Sequence, residues 1–300
     1  MTMKYKKNLM LLFIVAAVII AATTVFMLYG RDRGEIRAVL TEGIDTDSPA
    51  HVETFAENTR LNSDGEILLG VAILLDEGWK TYWREAWESG LPPALDWSES
   101  SNLASVRVFW PTPERFDDPG GSYLGYRDAL VLPIALKAID NALPLEAKLW
   151  LRYAVCREIC IPLEERLSWR FASADGSSAE DPRAQARLED AFRRVPVEDS
   201  KHARLIEARL VEESGSPHLE VRAALADPLA SDSLLVVEEP APYFFGRERL
   251  VESIEHDNEI EARFILPLLD ANIADEMRNS GVRILLKNGE TSLSAPVRVQ

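Results

Sequence analysis

The chain has 300 residues and a formal net charge of −16, from 33 Lys and Arg against 49 Asp and Glu. Contact with nucleic-acid phosphates needs clustered basic side chains, and no such cluster occurs, so nucleic acid is excluded as a partner. With 47% hydrophobic and 27% charged residues the composition is ordinary for a globular protein, and the length is one at which a single core tends to divide in two.

Lys4, Lys6 and Lys7 precede an uncharged run from Asn8 to Gly30. A membrane-spanning helix needs about 20 apolar residues, whereas the apolar core of a signal peptide has roughly 7–15. Residues 1–30 are therefore expected to be a cytoplasmic stub and transmembrane anchor. Cleavage near Ala21-Ala22-Thr23, as a signal sequence, is the alternative. The basic flank predicts a cytoplasmic N-terminus and places residues 31–300 on the other side of the membrane. Residues 31–50, with Gly34, Gly43 and Pro49, read as a tether.

From His51 the pattern is β-like. Segment 66–75 is a strand between the turn signals Asp64-Gly65 and Asp76-Glu77-Gly78. Trp79, Trp83 and Trp87 follow closely; a sugar platform, a partner-binding face and a sandwich core would all use them, and the core is the expected role. Segments 94–97, 105–110, 130–136, 145–153 and 166–171 read as further strands. Between Phe116 and Gly125, the run Asp117-Asp118-Pro119-Gly120-Gly121-Ser122-Tyr123-Leu124 is rich in turn residues and is expected to be an exposed loop. Short strands divided by Pro and Gly turns make 51–172 a β-sandwich. In 173–200, Asp181 caps a short helix with Pro182 at its first position, running to Arg194 inside a linker. Strand patterns then return at 205–210, 219–224, 234–238, 262–266, 282–286 and 295–299, making 201–300 a second sandwich. The expected fold class is all-β, with two immunoglobulin-like β-sandwich domains in tandem after an N-terminal transmembrane helix.

The chain has two cysteines, Cys156 and Cys160, just after the strand 145–153. In a straight strand their Cα atoms would be about 13 Å apart at roughly 3.3 Å per residue, whereas a disulfide tolerates about 4.4–6.8 Å. Either the chain folds back between them, or they stack one turn apart on a helix. Both arrangements allow a bridge, and a compartment outside the cytoplasm permits one. Haem attachment would need Cys-x-x-Cys-His. A structural zinc site wants four N or S ligands, but His51, His202, His218 and His256 are scattered. No metal and no cofactor is expected. Two readings stay open: a dithiol that exchanges disulfides with a partner, and a static clamp on a binding or scaffold module. A bridge closing so small a loop restrains the unfolded chain little, which counts against the clamp. Arg157 and Glu158, between the cysteines, are expected to face solvent and to act on thiol acidity in opposite directions.

Five motifs occur in order: Gly78-Trp79-Lys80-Thr81-Tyr82-Trp83, Pro92-Pro93-Ala94-Leu95-Asp96-Trp97, Trp110-Pro111-Thr112-Pro113-Glu114-Arg115-Phe116, Tyr126-Arg127-Asp128-Ala129-Leu130-Val131-Leu132-Pro133, and Tyr153-Ala154-Val155-Cys156 through Cys160-Ile161-Pro162. Together they resemble the N-terminal periplasmic domain of DsbD-type thiol:disulfide interchange proteins, in the ScsB-like variety where a second β-domain follows. The resemblance covers 50–172 and, more loosely, 200–300.

That resemblance implies a protein-disulfide reductase activity, in which the cysteine pair receives electrons relayed through a membrane domain and passes them to oxidised partners. Cys160 resembles the attacking cysteine and Cys156 the resolving one. The family's shielding cap loop corresponds to Asp117-Asp118-Pro119-Gly120-Gly121. Its acidic residues are kept as Asp117 and Asp118, but Pro119 stands where a shielding aromatic is found, leaving Phe116 or Tyr123 to take that place. The implied partners are a membrane electron-donor protein and periplasmic thioredoxin-like or disulfide-bearing proteins. The implied location is the inner membrane, single-pass, with the bulk of the chain in the periplasm, or soluble periplasmic after cleavage. The sequence shows one apolar run and neither a multi-helix conduit nor a thioredoxin-like domain, so a separate protein is expected to supply the electrons.

Overall fold

The computed structural model describes residues 48–85, 90–118, 121–176, 179–239, 245–256, 259–274, 277–278 and 281–300. The apolar run 8–30, the tether up to residue 47, Trp87 and Pro119 lie outside the described residues. Among the described residues no helix is long and apolar enough to cross a membrane.

The described residues are built mainly of strands. The first ten are β1 (Ala50–Ala56), β2 (Glu66–Leu75), β3 (Lys80–Tyr82), β4 (Ala94–Asp96), β5 (Leu103–Val108), β6 (Glu114–Asp118), β7 (Gly121–Arg127), β8 (Ala129–Ala138), β9 (Leu145–Cys156) and β10 (Cys160–Phe171). One sheet has the order β1-β2-β8-β5; the other runs β10-β9-β3-β7-β6, with β4 also pairing to β9. Alternation decides what the two sheets enclose. Leu69, Val71 and Ile73 of β2, Leu130, Leu132, Ile134 and Leu136 of β8, and Leu145, Leu149, Leu151 and Val155 of β9 all meet in one core. Each such side chain fully removed from water contributes about 1.5–3 kcal/mol. Trp83 is buried in this core and Trp79 packs at its margin, the role expected for the tryptophans.

Helix α1 (Pro182–Phe192) lies against the opposite face of the first sheet, near β1, β2 and β8, through Ala184, Leu188 and Ala191. The Asp181 carboxylate accepts hydrogen bonds from the backbone N–H groups of Arg183 and Ala184 at 2.9 and 3.2 Å, which satisfies donors the first helical turn leaves free. The helix stops before the expected Arg194, because the N–H groups of Arg194 and Val195 turn back to Ala191 and Phe192 in tighter i→i−3 bonds.

The remaining strands are β11 (Ala203–Glu213), β12 (Ser216–Leu225), β13 (Leu234–Glu239), β14 (Arg249–Glu255), β15 (Ile260–Pro267), β16 (Val282–Asn288) and β17 (Thr291–Val297). They form the sheets β11-β12-β15-β14 and β13-β16-β17 around a second core that includes Leu219, Val221, Phe264, Leu266, Ile284 and Leu286. Strand β14 has no counterpart in the sequence reading. It is an edge strand exposed along most of its length, so its apolar Leu250 and Ile254 show no burial pattern.

The sheet β13-β16-β17 faces two ways. Leu235, Ile284 and Leu286 enter the second core, whereas Leu234, Val236 and Leu285 join the first. The two sandwiches therefore share an apolar seam. Polar contacts line it: Arg84 with Glu238 at 2.8 Å, Glu238 with Ser294, Thr112 with Ser292, and Arg115 with Glu248.

Candidate functional site

The chain folds back between the cysteines. Strands β9 and β10 form a hairpin in which Cys156 pairs directly with Cys160. Residues Arg157, Glu158 and Ile159 make the loop, closed by the Arg157 N–H donating to the Ile159 carbonyl at 3.1 Å. The two Cα atoms are 4.1 Å apart and the sulfurs are joined in a disulfide. Because side chains alternate along β9, Tyr153 and Val155 enter the core while Ala154 and Cys156 face outward.

That outward face is not bare. Tyr82, Phe116, Tyr123, Ala154 and Cys156 form a small apolar cluster of their own. Cys156 is only 5% exposed, whereas Cys160 and the loop residues Arg157, Glu158 and Ile159 are open to solvent. The cover comes from the hairpin β6–β7, in which Phe116 pairs with Tyr123 across the strands. Their rings lie 5.4 Å apart, and the Tyr123 ring is 5.0 Å from that of Tyr82.

The Tyr82 hydroxyl lies 2.9 Å from the Cys156 Sγ and 3.3 Å from the Cys160 Sγ. A disulfide sulfur has no proton to give, so the phenol is the donor here. Asp118 sits behind this group, accepting from the Tyr123 hydroxyl at 2.9 Å and from the Lys80 Nζ at 3.3 Å. Burial, reinforced by the Asp118 charge, raises the Tyr82 pKa; burial and the Asp118 hydrogen bond push Tyr123 well up. Both phenols thus keep their protons at neutral pH. Gly90 closes one side of the site: at φ +131°, an added Cβ would lie 2.7 Å from the Tyr82 ring.

Residues 50–171 match the family model described as "Thiol:disulfide interchange protein DsbD, N-terminal". The first sandwich matches the DsbD N-terminal family. Among solved structures, the crystal structure of the N-terminal periplasmic domain of ScsB from Proteus mirabilis superposes with a TM-score of 0.64 at 18% sequence identity, covering 86% of this chain and 96% of that chain. At that identity the likeness is one of fold, and it extends beyond the DsbD-type sandwich into the second one. No curated protein matches the chain.

Within the DsbD-type sandwich, the stretch expected to be an exposed loop is instead the hairpin β6–β7. The turn chemistry of Asp118 to Gly121 misled because it stands between two genuine strands, and apolar Phe116 and Tyr123 are buried rather than exposed. The structure brings Phe116, Asp118 and Tyr123 onto the disulfide side. It turns Asp117 the other way, where it accepts from the Ser122 hydroxyl at 2.5 Å and pairs with Arg247 at 3.3 Å. Those bonds hold the Asp117 carboxyl below the usual carboxylate range, Ser122 contributing most. Tyr82 and Lys80 stood in the motif Gly78-Trp79-Lys80-Thr81-Tyr82-Trp83 without a site role of their own. Their signal is the alternation Lys80-Thr81-Tyr82, but only the pairing of Lys80 with Cys156 and Thr81 with Val155 shows that this three-residue strand lies beside the cysteines. Among the described residues, no group of three His, Cys, Asp or Glu side chains is arranged to hold a metal.

Proposed function

We propose that the Cys156–Cys160 pair carries out thiol:disulfide interchange on an immunoglobulin-like sandwich outside the cytoplasm. The observation that carries this reading is the asymmetry of the pair: Cys160 stands open at the tip of the hairpin, while Cys156 is covered and shares the Tyr82 hydroxyl with it. The family match supports the reaction class.

In the reduced protein, the Cys160 thiolate attacks one sulfur of a partner's disulfide, forms a mixed disulfide and releases the partner's other sulfur as a thiolate. The Cys156 thiolate then attacks the Cys160 sulfur, which re-forms the Cys156–Cys160 bond and expels the partner's second thiolate. Two electrons pass to the partner, and two protons from solvent complete its dithiol. A separate membrane dithiol reductase returns the pair to its reduced state by the same steps in reverse. The oxidised acceptors are thioredoxin-like or other disulfide-bearing periplasmic proteins, and the apolar run 8–30 holds the chain at the membrane.

Cys156→Ala should accumulate a mixed disulfide through Cys160, resolvable by reductant on a non-reducing gel, while Cys160→Ala should not. A redox titration of the protein reads the potential independently. A potential below about −300 mV, as in structural disulfides, together with no trapped adduct, would sink the exchange reading and favour a static clamp on a binding module.

A further inference from the structure

The covering hairpin is gripped from outside its own sandwich. Strand β6 is the edge of its sheet. Phe116 and Asp118 project to the disulfide side, and Arg115 and Asp117 to the other. There they meet the second sandwich just before β14. The Arg115 guanidinium holds the Glu248 carboxylate with two parallel hydrogen bonds, one of them 2.9 Å, and these side chains are only 13% and 6% exposed. Glu248 is fixed in turn by the backbone N–H of Leu235 at 3.2 Å, at the start of the strand that forms the apolar seam. Asp117 and Arg247 add an exposed pair beside it.

We infer that Arg115 and Glu248 are positioning residues that select the reacting sulfur: by tying β6 to the second sandwich they hold Phe116 and Tyr123 over Cys156, leaving Cys160 as the open one. The geometry is that of a lever one residue wide, since Arg115 and Phe116 are neighbours with opposite faces. A forked arginine–carboxylate pair is directional and, when nearly buried, costly to break from one side. The second sandwich, which contains no cysteine, thus acts on the chemistry of the first. The selection of Cys160 by the exchange reaction rests on the function proposed above; the shielding of Cys156 does not.

The test uses the full chain carrying Cys160→Ala, so that Cys156 is the single thiol, and follows its alkylation by iodoacetamide. Adding Glu248→Gln or Arg115→Met should speed alkylation about tenfold or more, as the open population of the hairpin rises. Glu238→Gln, which alters the seam at Arg84 and Ser294 rather than at β6, should leave the rate within about twofold of the parent, a difference of well under 1 kcal/mol. Equal labelling rates in the parent and the Glu248→Gln protein, or an equal rise in the Glu238→Gln protein, would overturn the inference. A failure of the exchange reading would show separately, as an absence of trapped adduct with the labelling pattern intact.

Discussion

Tyr82 is the side chain that ties the two sulfurs to their surroundings. Its hydroxyl reaches both, and burial beside Asp118 keeps it protonated, so it remains a donor when the disulfide opens to thiolates. A hydrogen bond donated to a thiolate favours the charged form. Tyr82→Phe should therefore raise the pKa of the first thiol to ionise, with a loss of roughly 1.5–3 kcal/mol of charge-assisted bonding. The measurement is thiolate absorbance against pH in the reduced protein; superimposable curves for wild type and variant would dismiss the role. Gly90 acts on the same ring. Gly90→Ala adds a Cβ 2.7 Å from Tyr82 at a backbone angle that disfavours any side chain. It should lower stability by about 1–3 kcal/mol and shift the thiolate titration in the same direction as Tyr82→Phe.

At the scale of elements, the hairpin β9–β10 and the hairpin β6–β7 are brought together by the three-residue strand β3, which pairs with both β9 and β7. Gly125 is where this junction is tightest, because an added Cβ would lie 2.2 Å from the Thr81 carbonyl oxygen. In the Cys160→Ala protein, where Cys156 is a free thiol, Gly125→Ala should break the β3–β7 pairing, reducing the thermal midpoint and exposing Cys156 to alkylation together. Loss of stability without Cys156 exposure would show that β3 does not organise the cover. The helix α1 offers a contrast far from the cysteines. Asp181→Ala removes its N-cap and should cost about 1 kcal/mol, visible as a modest fall in thermal midpoint with thiol reactivity unchanged.

The ten strands of the first sandwich were legible in unequal measure. Strands β2, β8 and β9 announce themselves by alternation, since each lays one face on a shared core. The strands β6 and β7 did not, because five or seven residues around Pro119-Gly120 look like a loop until their cross-strand partners are known. Strand β14 failed for the opposite reason, having almost no buried face to leave a pattern.

At the scale of the whole molecule, the seam between the sandwiches contains a buried acid. Glu238 is held by Arg84 and Ser294, yet burial outweighs those contacts and raises its pKa above the ordinary 4.5. A carboxylate raised on folding binds its proton more tightly in the folded state, so its favourable contribution is complete below pH 4.5 and is lost as pH rises through the higher folded value. Seam stability should accordingly fall with rising pH across that window, and Glu238→Gln should flatten the dependence. Thermal midpoints of the two proteins from pH 4 to 8, on the order of the carboxylate range, provide the check; parallel profiles would rule Glu238 out as the source.

By itself the sequence determined an all-β chain, the pairing-competent spacing of Cys156 and Cys160, and the helix cap at Asp181, because each depends on local alternation, spacing or turn chemistry. It left open whether the chain folds back between the cysteines or winds into a helical turn, because both satisfy the same separation. Only the tertiary structure decided that the cysteines face one another across a hairpin, that Tyr82 reaches both sulfurs, and that Arg115 meets Glu248 from 133 residues away. Those facts rest on which strands neighbour which. Sheet order is set by the summed burial of distant segments, and no local pattern in the chain records it.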